Sequence, residues 1–182
     1  MSRGGGAPTR PFSERQLEDA SEHLEYELQQ IAHGTHRTVR IRQDHFFGLV
    51  VPEDLHLARA NLEAFLVHIR VVDEILGSKA PRPTDVVATD FDPSYQPKHA
   101  LSLGQQSDIN GRIAHLTTRR HDDSFEWDRS ELTERVFKQF GVFLDGLSQR
   151  HADRAAWISV AFEDAQKLVV LHKAGWPDPR HG

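Results

Sequence analysis

Four side chains on one expected helix have the types and spacing for phosphate chemistry: Asp108, Arg112, His115 and Arg119. At about 100° per residue they share roughly one sixth of the circumference, beside the apolar stripe of Ile109, Ile113 and Leu116. On that border between core and water an arginine can hold a phosphate while a histidine exchanges protons near neutral pH. The same residues also fit an ordinary i,i+4 ion pair, Asp108 with Arg112, and a half-buried bundle histidine. A second helix carries Asn61 and His68 two turns apart on one flank of its stripe, with Asp73 on the other flank. Glu63 and Arg70 point nearly opposite its core. Asn and His at such an edge commonly bond between helices; if they face His115 across a helix pair, His68 and Asn61 instead complete a site.

The chain has 12 histidines in 182 residues, so metal binding has to be weighed. Only Glu53-Asp54-Leu55-His56 fits the Glu-x-x-His motif of di-iron bundles, and it has no second copy. His33 and His36 straddle Gly34, and there is neither a His-x-x-x-His nor a His-Glu-x-x-His pair. No metal and no cofactor are expected. Serine-nucleophile, phosphate-loop and dinucleotide fingerprints are missing, and there is no DNA-specific motif. The absence of cysteine excludes disulfides, zinc–thiolate sites and thiol catalysis, and fits a reducing compartment. A formal charge of -5 gives no global attraction to nucleic acid, so RNA contact requires a local basic patch. No segment approaches the roughly 20 apolar residues of a membrane span, and the expected location is the cytoplasm.

The elements that would position these residues read as helices throughout. Residues 1–12 are expected to be a disordered lead with neither signal peptide nor anchor. Ser13 and Gln16 form a capping-box pattern ahead of Leu17, Ala20, Leu24, Leu28 and Ile31. Gly34 is expected to end or bend that helix, with a second, less regular one from about 35 to Gly48. Pro52, Glu53 and Asp54 open the most regular helix, whose stripe runs Leu55, Ala58, Leu62, Phe65, Leu66, Ile69, Val72 and Leu76, with Gly77 at its end. Prolines 81, 83, 93 and 97 forbid a long helix next, and Val86, Val87 and Phe91 are expected to dock that loop on the core. Further helices are expected over 103–120, from the Asp128-x-x-Glu131 cap through Leu147, and over 152–173, the last with Trp157, Val160, Ala161, Leu168 and Leu171 inward. The result is an all-α antiparallel bundle of five to six helices, with a proline-rich loop after the long central helix. Residues 13–150 form the bundle domain, and 151–182 a C-terminal helix and tail packed on it or on a partner.

Two blocks, "ANLEAFLVHIRVVDEIL" and "INGRIAHLTTRR", together with "HLEYEL" at 23–28, resemble helical proteins of bacterial defence related to HEPN domains, the abortive-infection AbiU type being nearest. The matching positions are Asn61, Glu63, Phe65, His68 and Arg70, then Ala114, His115 and Leu116, within about residues 13–148. The resemblance implies a bundle that often dimerises, and in many members cleaves RNA without metal. Their motif sets four to six residues between arginine and histidine. Arg112 and His115 depart from it with two, while Arg40 and His45 match it literally. The function expected is therefore a non-catalytic interaction or dimerisation module of a defence or toxin–antitoxin system, pairing with itself or with a helical partner. The alternative is a metal-independent endoribonuclease, with His115 and His68 transferring protons, Arg112 and Arg119 holding the scissile phosphate, and Asn61, Asp108 and Arg70 binding substrate. A second alternative is a bundle that binds a small molecule or a metal.

Overall fold

A computed structural model of the chain describes residues 11–46, 52–79, 81–114 and 127–173, and all regular structure among them is helical. The order is α1 (Glu14–Phe46), α2 (Pro52–Gly77), a one-turn α3 (Ala88–Phe91), α4 (Leu103–Ile109) continued by five π-helical residues (Asn110–Ala114), α5 (Arg129–Arg150) and α6 (Ala152–Lys173). Helix α1 packs on α6, α2 and α5, and α5 packs on α6 and α2, so these four long helices enclose one core. Fully buried Leu17, Leu28, Ile31, Phe65, Ile69 and Phe140 are among the residues that fill it. The helical bundle expected from periodicity is what the chain forms. The 152–173 helix belongs to it, with its most extensive packing on α1.

The helix starts arise from local bonding. Ser13 Oγ accepts from the Gln16 N–H at 3.3 Å while Gln16 Oε1 accepts from the Ser13 N–H at 2.9 Å. This satisfies two of the donors that a helix start leaves open. Asp128 caps α5 by accepting from the Glu131 N–H. Ser102 and Gln105 make a further capping box at α4. The loop after α2 docks as expected: Val87 and Phe91 are buried and Val86 packs on the core.

Two expectations are corrected. Helix α1 does not end at Gly34 but runs through it to Phe46, 33 residues in all. The glycine serves close packing: a Cβ there would lie 2.7 Å from Phe65 Cδ2 and 2.9 Å from Phe65 Cβ, so only a hydrogen fits beneath that ring. The inward stripe of α6 is Ala155, Ile158, Phe162, Ala165 and Val169, with Ala161 buried as expected. Val160 and Leu171 face solvent, and Trp157 and Leu168 are only partly buried. Apolar residues surround α6 on every side, so periodicity alone defines no unique inner face.

Between α1 and α5 the core contains a polar layer. Thr35 and Thr133, both buried, share a hydroxyl bond of 2.7 Å, and Thr35 also donates to the Ile31 carbonyl. Arg129, buried in the first turn of α5, donates from Nη1 to the Gly34 carbonyl at 2.7 Å and lies 5.3 Å from the centre of the Phe65 ring. Its Nε has no hydrogen-bond partner among the described residues, and burial lowers the guanidinium pKa to about 10. Gly34, Phe65 and Arg129 thus form one packing unit. Gly34→Ala would add about 1 kcal/mol of helix propensity, yet overpacking against Phe65 costs about 1–3 kcal/mol. Urea unfolding is expected to show a lower midpoint for Gly34→Ala, partly restored by adding Phe65→Leu; an unchanged midpoint contradicts the contact.

Candidate functional site

The last turn of α2 and the segment after α3 build the most developed polar site among the described residues. Asp73, one turn before the end of α2, is buried, with 3% of its side chain exposed. Its Oδ1 accepts the backbone N–H groups of Ala100 and Leu101 at 2.7 and 2.9 Å, and its Oδ2 lies 2.8 Å from His99 Nδ1. The Lys98 N–H donates to the Leu76 carbonyl at 3.0 Å, covering one of the open carbonyls at the helix end. Gly77 allows the approach, since a Cβ there would collide with the His99 ring.

A carboxylate offers acceptors only, so towards the Asp73 carboxylate His99 Nδ1 is the donor. The ring is thereby fixed, and Nε2 is left without a partner among the described residues. His99 is 38% exposed and lines two grooves. One, of about 880 Å³, lies between residues 94–100 and α5 and is lined by Lys98, Arg135, Lys138 and Arg150 with Glu131 and Glu134. The other, of about 730 Å³, includes Arg70, Glu74, Lys79 and Arg82. Tyr95 floors the first groove, edge-on to Phe143 at 5.3 Å, with its hydroxyl accepting from Gln139 Nε2 at 3.1 Å. Burial, reinforced by the Asp73 charge and opposed by the Gln139 bond, pushes its phenol up.

A second buried carboxylate anchors the other end of the same segment. Asp92 is fully buried; its Oδ1 accepts from the Ser94 N–H and hydroxyl, and its Oδ2 from Arg150 Nε at 3.0 Å and Nη2. Burial alone would raise its pKa, but the bonds from Arg150 and Ser94 outweigh that and hold it below the usual carboxylate range. Arg154 of α6 donates to the Asp90 and Phe91 carbonyls and pairs with Glu14 at the start of α1. Residues 90–101 are therefore tied at one end to α5 and α6, and at the other to α2.

The residues singled out from sequence have separate fates. His68 Nδ1 lies 2.6 Å from Glu27 Oε2, and its ring stands edge-on to Tyr26 at 5.6 Å; it joins α2 to α1. Arg70 pairs with Glu74 at 2.8 Å on the wall of the second groove, and among the described residues it is the predicted site residue brought near His99. Asn61 and Asp108 are half-buried and each engaged with a neighbour. His115 and Arg119 lie outside the described residues, and of Arg112 only the backbone is described. That backbone departs from a regular α-helix. Residues Asn110–Ala114 are π-helical, so the uniform step of about 100° per residue does not hold across them. Arg40 and His45 lie in α1 where side chains are not described. His99 escapes sequence reasoning because no periodicity links a loop residue to a helix acid. The only cue is an acid one turn before a helix-ending glycine, with a histidine in the next, proline-rich segment.

Among the described residues no group of three or more His, Asp or Glu side chains is placed to hold a metal ion, and no helix is long and apolar enough to cross a membrane. No protein-family model, curated protein or solved structure matches the chain.

The Asp92 bonds have a signed pH consequence. Its folded pKa is below the unfolded value of about 3.9, so its stabilising contribution is present above that value and is lost as pH falls through the folded pKa. Thermal unfolding across a pH series is expected to show a shallower acid decline for Asp92→Asn than for the wild type. Identical slopes would contradict the assignment.

Proposed function

We propose that this chain is a non-catalytic helical interaction module that pairs with a second copy of itself, of the HEPN-like kind serving bacterial defence or toxin–antitoxin systems. The observation that carries this reading is the outer face of α6. Its inner stripe is filled against α1 and α5, yet Val160, Val170 and Leu171 remain 66%, 64% and 45% exposed. A helix apolar on every side ordinarily lies buried on every side.

The order of residues on that face favours a second copy as its cover. Val160 and Leu171 lie about three turns apart on nearly one line, with Asp164 and Lys167 between them. Two α6 helices crossing antiparallel near Ala165 would set Val160 on the partner's Leu171, and Asp164 opposite the partner's Lys167. Each contact then occurs twice, as a two-fold interface requires. The Asp164–Lys167 pair within one helix, 3.0 Å and largely exposed, contributes little alone and is free to exchange partners. His68 fits a structural role too, since its Nδ1 is engaged by Glu27 within the bundle.

Light scattering of the purified chain is expected to give twice the monomer mass. Val160→Glu with Leu171→Glu should give the monomer with unchanged helical circular dichroism, because neither side chain is needed by the core. A wild-type monomer at every concentration overturns the proposal. Cleavage of total RNA in EDTA that His115→Ala abolishes would replace it with the nuclease reading.

A further inference from the structure

Self-association through α6 makes no use of the Asp73–His99 pair. A structural tie between α2 and the later segment needs only the two backbone N–H bonds to Asp73 and the Lys98–Leu76 bond. The imidazole adds something else. It is held by one nitrogen, has the other unpartnered among the described residues, and opens on the larger groove.

The groove wall has a matching character. On a chain of net charge -5, it gathers Lys98, Arg135, Lys138 and Arg150 against Glu131 and Glu134. Arg135 is held by Glu131 at 2.8 Å and Arg150 by Asp92, so these two are already neutralised. Glu134 is engaged with a neighbour. Lys98 and Lys138 are exposed and have no ion-pair partner among the described residues. Two available ammonium groups and an oriented imidazole thus line one concave surface, whose floor is the Tyr95 ring. When the ring is protonated, Nε2–H is a donor on the groove side, because Nδ1 is taken by Asp73. Donors and cations of this kind suit a compact oxyanion with several acceptor oxygens.

We infer that this groove is a binding site for a phosphate group, with His99 Nε2, Lys98 and Lys138 as its ligand-contacting atoms and Asp73 as the residue that positions the imidazole. The ligand is a phosphate ester, carried either by a small molecule or by an RNA strand. Arg70 and Arg82 on the neighbouring groove, which shares His99, offer a path for a longer anion.

The test monitors the His99 ring resonances of the full chain by NMR, assigned with His99→Ala, during titration with inorganic phosphate, adenosine monophosphate and a short single-stranded RNA. At least one is expected to shift His99 saturably, and the strongest of the three identifies the source of the phosphate. Lys98→Ala with Lys138→Ala, both exposed and dispensable for the fold, should weaken that binding roughly tenfold, as expected for two solvent-exposed charge contacts. His99 unmoved by all three probes overturns the site. So does binding that the double lysine variant leaves unchanged.

Discussion

The Asp73 carboxylate is the constraint on which the described polar site depends. It is buried at the end of α2 and accepts from the Ala100 and Leu101 N–H groups and from His99 Nδ1. A buried ionised carboxylate is costly unless its lone pairs are met, so the acid and the segment hold each other in place. Without those bonds residues 98–101 keep only the Lys98–Leu76 backbone bond and the burial of Leu101 to hold them against the helix end, and the wall that both grooves share loosens. Asp92 repeats the device at the other end of the segment, with Arg150 and Ser94 as donors. A stretch with four prolines in its neighbourhood has little regular hydrogen bonding of its own; two carboxylates supply it.

The polar layer between α1 and α5 obeys a different rule. Thr35, Thr133 and Arg129 face inward where a bundle ordinarily places apolar side chains. The Arg129 contact with the Gly34 carbonyl and the Phe65 ring leaves Nε unmet, a cost that a hydrophobic side chain of equal size would avoid. Its effect is geometric: the long α1 passes the start of α5 and the middle of α2 at one residue, Gly34. Register among three helices is set there.

Much of the fold is legible in the sequence because helical stripes report burial directly. Leu17, Leu24, Leu28 and Ile31 on α1, and Phe65 through Leu76 on α2, lie where their spacing places them. Legibility fails where one residue type serves two purposes. Gly34 reads as a helix end, whereas the ring of Phe65 explains it; that contact spans 31 positions and leaves no local trace. On α6 the apolar residues have no single face, so the pattern points Val160 and Leu171 inward where Ile158 and Phe162 lie. The candidate site is less legible still. His68 stands out by its stripe and is a strut to Glu27, while His99 lies in a loop, where spacing carries no information about Asp73. The uniform 100° step also breaks at Asn110–Ala114, which nothing in those residue types announces.

The buried Asp73 carboxylate orients His99 with Nδ1 as donor and Nε2 turned to the grooves, and the rest of the site is built on that orientation. The most direct measurement is the nitrogen-15 spectrum of the His99 imidazole at neutral pH. It should show a protonated Nδ1 whose hydrogen exchanges slowly with water, and loss of that protection in Asp73→Ala. A neutral ring protonated at Nε2 alone, with Nδ1 bare, would contradict it.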